Sequence, residues 1–185
     1  MKQSSFKQKY LIFKVRQHKD PEAYGELYDY YVGKIYRFIL FKVATSEEAE
    51  DLTSEVFLKT WEYINSTSRK IENLNALFYK VARNCVIDYY RKKNQSVVLT
   101  DEDQMDLIED KKNSVAKIED RVDWDNLQTH LIKLKDVYRE VLLLRYSEDF
   151  SINEISEIVD KSPGNVRIIL HRALNALKEI TSRNT

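Results

Sequence analysis

Only three glycines, Gly25, Gly33 and Gly164, and two prolines, Pro21 and Pro163, occur in 185 residues. Primed hairpin turns and phosphate-cradling loops depend on glycine, which enters positive φ without steric cost. The scarcity argues against a β-rich fold and against a nucleotide-binding loop. Both prolines follow a residue of the helix-capping type, Asp20 and Ser162, and proline is favoured at the first helical position. They open helices here. Hydrophobic residues make up 43% of the chain and can build a core, while the 32% that are charged demand much solvated surface. The expected fold class is all-α, with two small helical domains joined by a linker.

Periodicity places the helices. One is expected over residues 6–18. A second opens at Asp20-Pro21 and reaches about residue 42, with Leu27, Tyr31, Ile35 and Phe38 recurring at helical spacing and Tyr28 and Ile39 widening the stripe. A third is capped by Thr45-Ser46, with Glu47 and Glu48 in its first turn as the helix dipole prefers. Ala49, Leu52, Val56 and Thr60 line one of its faces, and Phe57, Trp61 and Ile64 widen it. After a polar loop at 65–70, a fourth helix is expected over 72–93, with Leu74, Leu77, Phe78, Val81, Cys85 and Ile87 as its apolar side. Four more are expected over 123–134, 135–146, 151–159 and 162–180, with Leu174 and Leu177 continuing the buried stripe of the last. Ser151 and Glu154 have the spacing of a capping box.

Charge is uneven although the net is zero. Residues 1–95 carry 17 basic and 12 acidic side chains, residues 96–127 carry 4 and 10, and residues 128–185 carry 9 and 8. The acidic stretch, with Asp101, Glu102, Asp103, Asp106, Glu109 and Asp110, reads as a linker over 96–122 between domains at 1–95 and 123–185. It is either a solvating tether or a segment that mimics nucleic acid inside a partner's basic channel. Zero net charge argues against a protein that grips nucleic acid unaided. Cys85 is alone, and His18, His130 and His171 lie far apart, so neither a disulfide nor a zinc spacing is present. No apolar run reaches membrane-spanning length and the N-terminus lacks an apolar signal core. A cytoplasmic chain without membrane insertion, metal or cofactor is expected.

Three segments carry chemistry. The last two helices, joined by Asp160-Lys161-Ser162, match a helix-turn-helix, whose second helix enters the major groove by its N-terminal residues. Gly164, Asn165, Arg167 and Ile168 occupy that position, with His171 and Arg172 one turn on. Such hairpins also serve as plain packing units. The fourth helix bears Lys80, Arg83, Tyr89, Tyr90, Arg91, Lys92 and Lys93 opposite its apolar stripe. This composition suits single strands, whose bases stack on rings while cations follow phosphates, and it also suits the edge of an amphipathic core. Residues 49–62 cluster carboxylates with apolar groups. No second acidic cluster supports a metal site, so a partner-binding helix is the better reading.

Taken in order, these segments resemble a bacterial RNA polymerase sigma factor of the short extracytoplasmic-function (ECF) type, which keeps domains 2 and 4 only. Leu27, Tyr28, Asp29, Tyr30 and Tyr31 through Arg37 and Phe38 look like region 2.1, and residues 49–62 like region 2.2. Ala82-Arg83-Asn84-Cys85-Val86-Ile87-Asp88-Tyr89-Tyr90-Arg91 is similar to regions 2.3 to 2.4, where Ala-Arg-Asn followed by Ile-Asp-x-x-Arg is typical. Residues 138–146 and 162–177 look like region 4.

The resemblance implies a non-enzymatic role: binding core RNA polymerase, through its β′ clamp helices and β flap, and directing promoter recognition and DNA opening. Asp51, Leu52, Glu55, Phe57 and Leu58 fall in the polymerase-binding surface. Lys80, Arg83 and Asn84, with Tyr89 and Arg91 and the loop from Asn65 to Asn75, fall where the family holds the melted −10 strand and flips a base. Asp88 braces its helix. Asn165, Arg167, Ile168, His171 and Arg172 fall on the −35 duplex. An anti-sigma factor is an expectation from the family. The sequence departs from the pattern at Leu77, where many relatives have Trp, at Ser54, where Gln is frequent, and at Ile169, where Arg is common. Asp160 stands in place of the usual turn glycine, which implies a non-glycine residue at positive φ. The competing reading is a stand-alone helix-turn-helix repressor or activator, which predicts tight duplex binding without polymerase. A helical nuclease built around residues 47–55 ranks third.

Overall fold

In the computed structural model, residues 2–67, 70–93 and 130–182 are described, and every regular element among them is helical. The helices are α1 (Lys2–His18), α2 (Pro21–Leu40), α3 (Ser46–Ser66), α4 (Leu74–Lys93), α5 (Asp136–Leu142), which runs into a π-helical turn (Leu143–Ser147), α6 (Ile152–Val159) and α7 (Pro163–Ser182). They fall into two compact units, Met1–Val43 with Glu47–Asp88, and Ala44–Ser46 with Tyr89–Thr185. The expected linker at 96–122 and the helix expected from residue 123 lie outside the described residues, apart from the latter's end at His130 and Leu131.

In the first unit, Asp20 caps α2 as its sequence predicts. Its Oδ1 accepts from the Glu22 and Ala23 amides at 3.0 and 3.1 Å, which holds the carboxyl below its ordinary pKa. The stripe Leu27, Tyr31, Ile35 and Phe38 is buried. Around it an aromatic core forms: Tyr31 stacks on Phe78 with ring centroids 4.3 Å apart, Phe57 meets Phe78 at 5.2 Å, and Phe38 meets Tyr79 edge-on at 5.2 Å. Each such fully buried side chain contributes about 1.5–3 kcal/mol by leaving water. Tyr31 Oη donates to Asn75 Oδ1 and Tyr24 Oη to the Phe57 carbonyl. Burial pushes both phenols above their ordinary pKa, so they remain protonated donors. α1 packs Leu11, Ile12 and Val15 inward, leaves Tyr10 and Phe13 exposed, and ties to the end of α3 through Arg16 Nη2 and the Thr67 carbonyl at 2.9 Å.

Two expectations for α4 are corrected. It begins at Leu74 and not at residue 72, because Asn73 caps it by accepting from the Ala76 amide at 3.0 Å. Its buried side is Leu74, Ala76, Phe78, Tyr79, Ala82, Cys85 and Val86, whereas Leu77, Val81 and Ile87 are only half-buried. The helix is rotated toward Tyr79 because that ring fills space against Phe38. Cys85 is buried and its thiol is pushed up to about 11, chiefly by burial, as expected of an inert filler.

In the second unit, Val141, Leu142, Leu143 and Leu144 are all buried. Four consecutive residues cover most of a helix's circumference, so the chain is packed on most sides where α5 passes into the π-helical turn. The helix expected over 135–146 is only partly α. Its last turn widens to i→i−5 bonding, with the Glu148 amide donating to the Leu143 carbonyl at 3.2 Å, and Arg145 Nη1 closes the segment on the Phe150 carbonyl at 2.8 Å. The capping box at α6 is complete, with both the Ser151 hydroxyl and the Glu154 carboxylate engaged.

Candidate functional site

Three helix faces carry the candidate residues, and they differ in what they can offer a partner. On α7 all five −35 candidates, Asn165, Arg167, Ile168, His171 and Arg172, are exposed, while Val166, Leu170 and Ala173 bind the helix to its unit. α7 packs against α5 and α6, which leaves its other side open. The entry to α7 is built locally. The Ser162 hydroxyl accepts from the Asn165 amide at 3.3 Å and its carbonyl from the Val166 amide at 3.0 Å, and Pro163 occupies the first helical position. The His171 Nδ1 lies 3.4 Å from Asn175 Nδ2 on this exposed face. Leu174, expected to be buried, is 41% exposed: it projects beside the packed stripe, and the small Ala173 takes the inner position.

The turn before α7 depends on Asp160, which adopts φ 52, ψ 45. This is the left-handed conformation that the absent glycine foretold. A side chain there costs about 1 kcal/mol, less for Asp than for branched residues. Asp160→Gly should therefore raise stability by up to about 1 kcal/mol and Asp160→Val should lower it by about 1–2 kcal/mol. Thermal unfolding monitored by circular dichroism checks both; equal effects would contradict a conformational origin.

On α3 the expected polymerase-binding set divides. Asp51 and Leu58 are exposed, Leu58 at 59%, and Glu55 is half-buried. Leu52 and Phe57, which the resemblance places in the polymerase-binding surface, are buried in the free chain: Phe57 packs among Tyr24, Tyr28 and Phe78. Glu55 is engaged within the chain by Lys59, 2.7 Å away, and Lys59 also reaches Asp88 at 3.8 Å. Asp88 thus braces α4 against α3. Lys59, which the sequence reading passed over, is the link. Its spacing from Glu55 marked the first contact, but nothing local marked the second.

On α4, Lys80 and Arg83 are half-buried and Asn84 and Arg91 exposed. Lys80, Asn84 and Arg91 lie within about 40° of one line along the helix, with Arg83 beside it. Tyr89 does not join them. Nine residues past Lys80 it lies about 180° around the helix, where its hydroxyl accepts from Lys93 Nζ at 2.6 Å and its ring meets Tyr90 edge-on at 5.2 Å. The expected loop from Asn65 to Asn75 is also shorter: Asn65 belongs to α3, with Nδ2 on the Trp61 carbonyl at 2.9 Å, and Asn75 to α4, while residues 68 and 69 lie outside the described residues. Among the described residues no group of three or more His, Cys, Asp or Glu side chains could hold a metal ion, and no helix is long and apolar enough to cross a membrane.

Among the described residues the protein is helical throughout, with a helix-turn-helix pair, α6 and α7, in the second of its two units. Comparison with known proteins then gives the family. The family model for Sigma-70 region 2 matches residues 27–96, and that for Sigma-70, region 4, matches residues 124–177. The chain is 31% identical over 159 residues to the ECF RNA polymerase sigma factor SigM of Bacillus subtilis, covering 85% of this chain and 94% of SigM. To the ECF sigma factor SigW of the same organism it is 29% identical over 172 residues, covering 86% and 89%. The fold is shared with CnrH in its complex with the cytosolic domain of CnrY, at TM-score 0.70, 15% identity and coverage of 97% and 99%. It is shared also with RpoE of Bartonella quintana in complex with the anti-sigma factor NepR, at TM-score 0.68, 19% identity and coverage of 85% and 96%. The chain belongs to the ECF RNA polymerase sigma factors. The match spans both units and not the helix-turn-helix alone, so the stand-alone repressor reading is not favoured.

Proposed function

We propose that the exposed side of α3 around Asp51 and Leu58 docks on the β′ clamp helices of core RNA polymerase, that the Lys80–Asn84–Arg91 side of α4, with Arg83, holds the melted −10 strand, and that α7 reads the −35 duplex. The observation that carries this division is the placement of all five α7 candidates on solvent while the packing stripe faces inward. Zero net charge fits a chain whose affinity for phosphate is supplemented by the polymerase. Within this division the domains are 1–95 and 123–185 with the acidic segment at 96–122 between them. The chain acts in the cytoplasm and needs no catalytic group, because the polymerase forms the phosphodiester bonds. An anti-sigma factor, such as the NepR bound to RpoE, would compete for the same exposed faces.

The assignment is tested by separating the two DNA contacts. With polymerase assembled on the chain, Arg167→Ala should weaken binding to a −35 duplex by about 1–3 kcal/mol, while Arg83→Ala should act on a −10 single-strand fork and leave the −35 duplex untouched. Equal losses on both probes would rule out separate roles for α4 and α7.

A further inference from the structure

Ile168 is the one apolar side chain at the centre of the reading face of α7, and its own unit makes little use of it. It is 51% exposed. Counting about 100° per residue, it lies about 160° around the helix from both Val166 and Leu170, the residues that bury α7. Isoleucine is also a weaker helix former than the straight-chain residues a solvated helix favours. Packing and propensity therefore leave its placement unexplained.

Its neighbours say what kind of surface it belongs to. Residues three and four apart share a helix face, so Ile168 is surrounded by Asn165, His171 and Arg172, all exposed. Protein-docking patches have an apolar centre several residues wide, whereas here a single branched side chain stands in a polar ring. Base edges in the major groove have that same pattern. They present hydrogen-bonding groups throughout, and the C5-methyl of thymine is their apolar feature. Isoleucine cannot satisfy the N7, O6, N6 or N4 groups of the other bases and would desolvate them without return. Against a methyl group it loses nothing.

We infer that Ile168 determines specificity by packing on the C5-methyl of a thymine in the −35 element, flanked by hydrogen bonds from Asn165 and Arg172. This rests on the reading of α7 as the −35 helix. Polymerase holoenzyme containing this chain is bound, at one fixed salt concentration, to a promoter it transcribes. Each thymine of the −35 element, on either strand, is replaced in turn by deoxyuridine, which removes the methyl and keeps the base pair. One position should weaken binding about three- to tenfold. The Ile168→Ala holoenzyme should bind the thymine and deoxyuridine forms of that position equally, and Ile168→Val should retain part of the difference. Thermal unfolding of each variant confirms that the fold is kept. A −35 element without A·T pairs, no sensitive position, or a position to which Ile168→Ala stays equally sensitive would each overturn the assignment. If Arg167→Ala still weakens −35 binding in that case, only the role of Ile168 fails. If −35 dependence is absent altogether, the reading of α7 fails with it.

Discussion

Phe78→Ala should be the most damaging single substitution in the first unit, costing about 3–5 kcal/mol. The side chain is 0% exposed, stacks on Tyr31 and meets Phe57 across the core. Its removal loses the transfer energy of the ring and two aromatic contacts, and leaves a cavity that α2, α3 and α4 cannot all close on without moving. Since whole domains are stable by only about 5–15 kcal/mol, a loss of this size brings the unit near its unfolding limit. Chemical denaturation checks it: the midpoint should fall markedly while the slope stays constant. Phe78→Leu, which keeps much of the volume, should cost less than half as much. A small effect of Phe78→Ala would mean that the aromatic core is not the main source of stability.

The second large effect separates folding from docking on α3. Leu58→Asp should leave the unfolding transition within about 0.5 kcal/mol, because the side chain is 59% exposed. It should nonetheless weaken binding to core polymerase about 30-fold or more, the size expected when a charge replaces an apolar anchor in an interface. Phe57→Ala should behave in the opposite way, lowering stability first and polymerase affinity only through it, since Phe57 sits against Tyr24, Tyr28 and Phe78. Asp51→Ala should reduce the association rate more than it raises the dissociation rate, and the difference should fade at high salt. Titration of labelled chain with core polymerase, with a thermal melt of every variant, reads both. Loss of affinity on Phe57→Ala without loss of stability would show that the residue acts in docking and not through the core.

These contrasts mark where the sequence is informative. Caps and boxes are local, so Asp20-Pro21, Ser151 with Glu154, and Ser162-Pro163 were legible from spacing, and the missing turn glycine pointed to the left-handed backbone of Asp160. The exposed face of α7 was legible too, because the polar residues Asn165, Arg167, His171 and Arg172 alternate with an apolar stripe at helical period. On α3 the apolar residues are too many for one stripe. Which of Leu52, Phe57 and Leu58 faces the core is decided by the rings of Tyr24, Tyr28 and Phe78, which come from two other helices. The same holds for α4, where Tyr79 turned inward against Phe38 and rotated the helix away from the expected stripe. The π-helical turn left no local signal, since it is closed by Arg145 on the Phe150 carbonyl five residues later. The bridge from Lys59 to Asp88 spans two helices and could be seen only once both were in place.

The central claim is that this chain gives core polymerase its promoter. The most direct measurement is transcription in vitro with the purified chain, sigma-free bacterial core polymerase and sheared genomic DNA, with RNA 5′ ends mapped with and without the chain. The account predicts discrete start sites that require the chain and share upstream −35 and −10 elements, and that Leu58→Asp and Arg167→Ala each diminish. An unchanged pattern of starts in its absence, together with tight duplex binding by the chain alone, would contradict it.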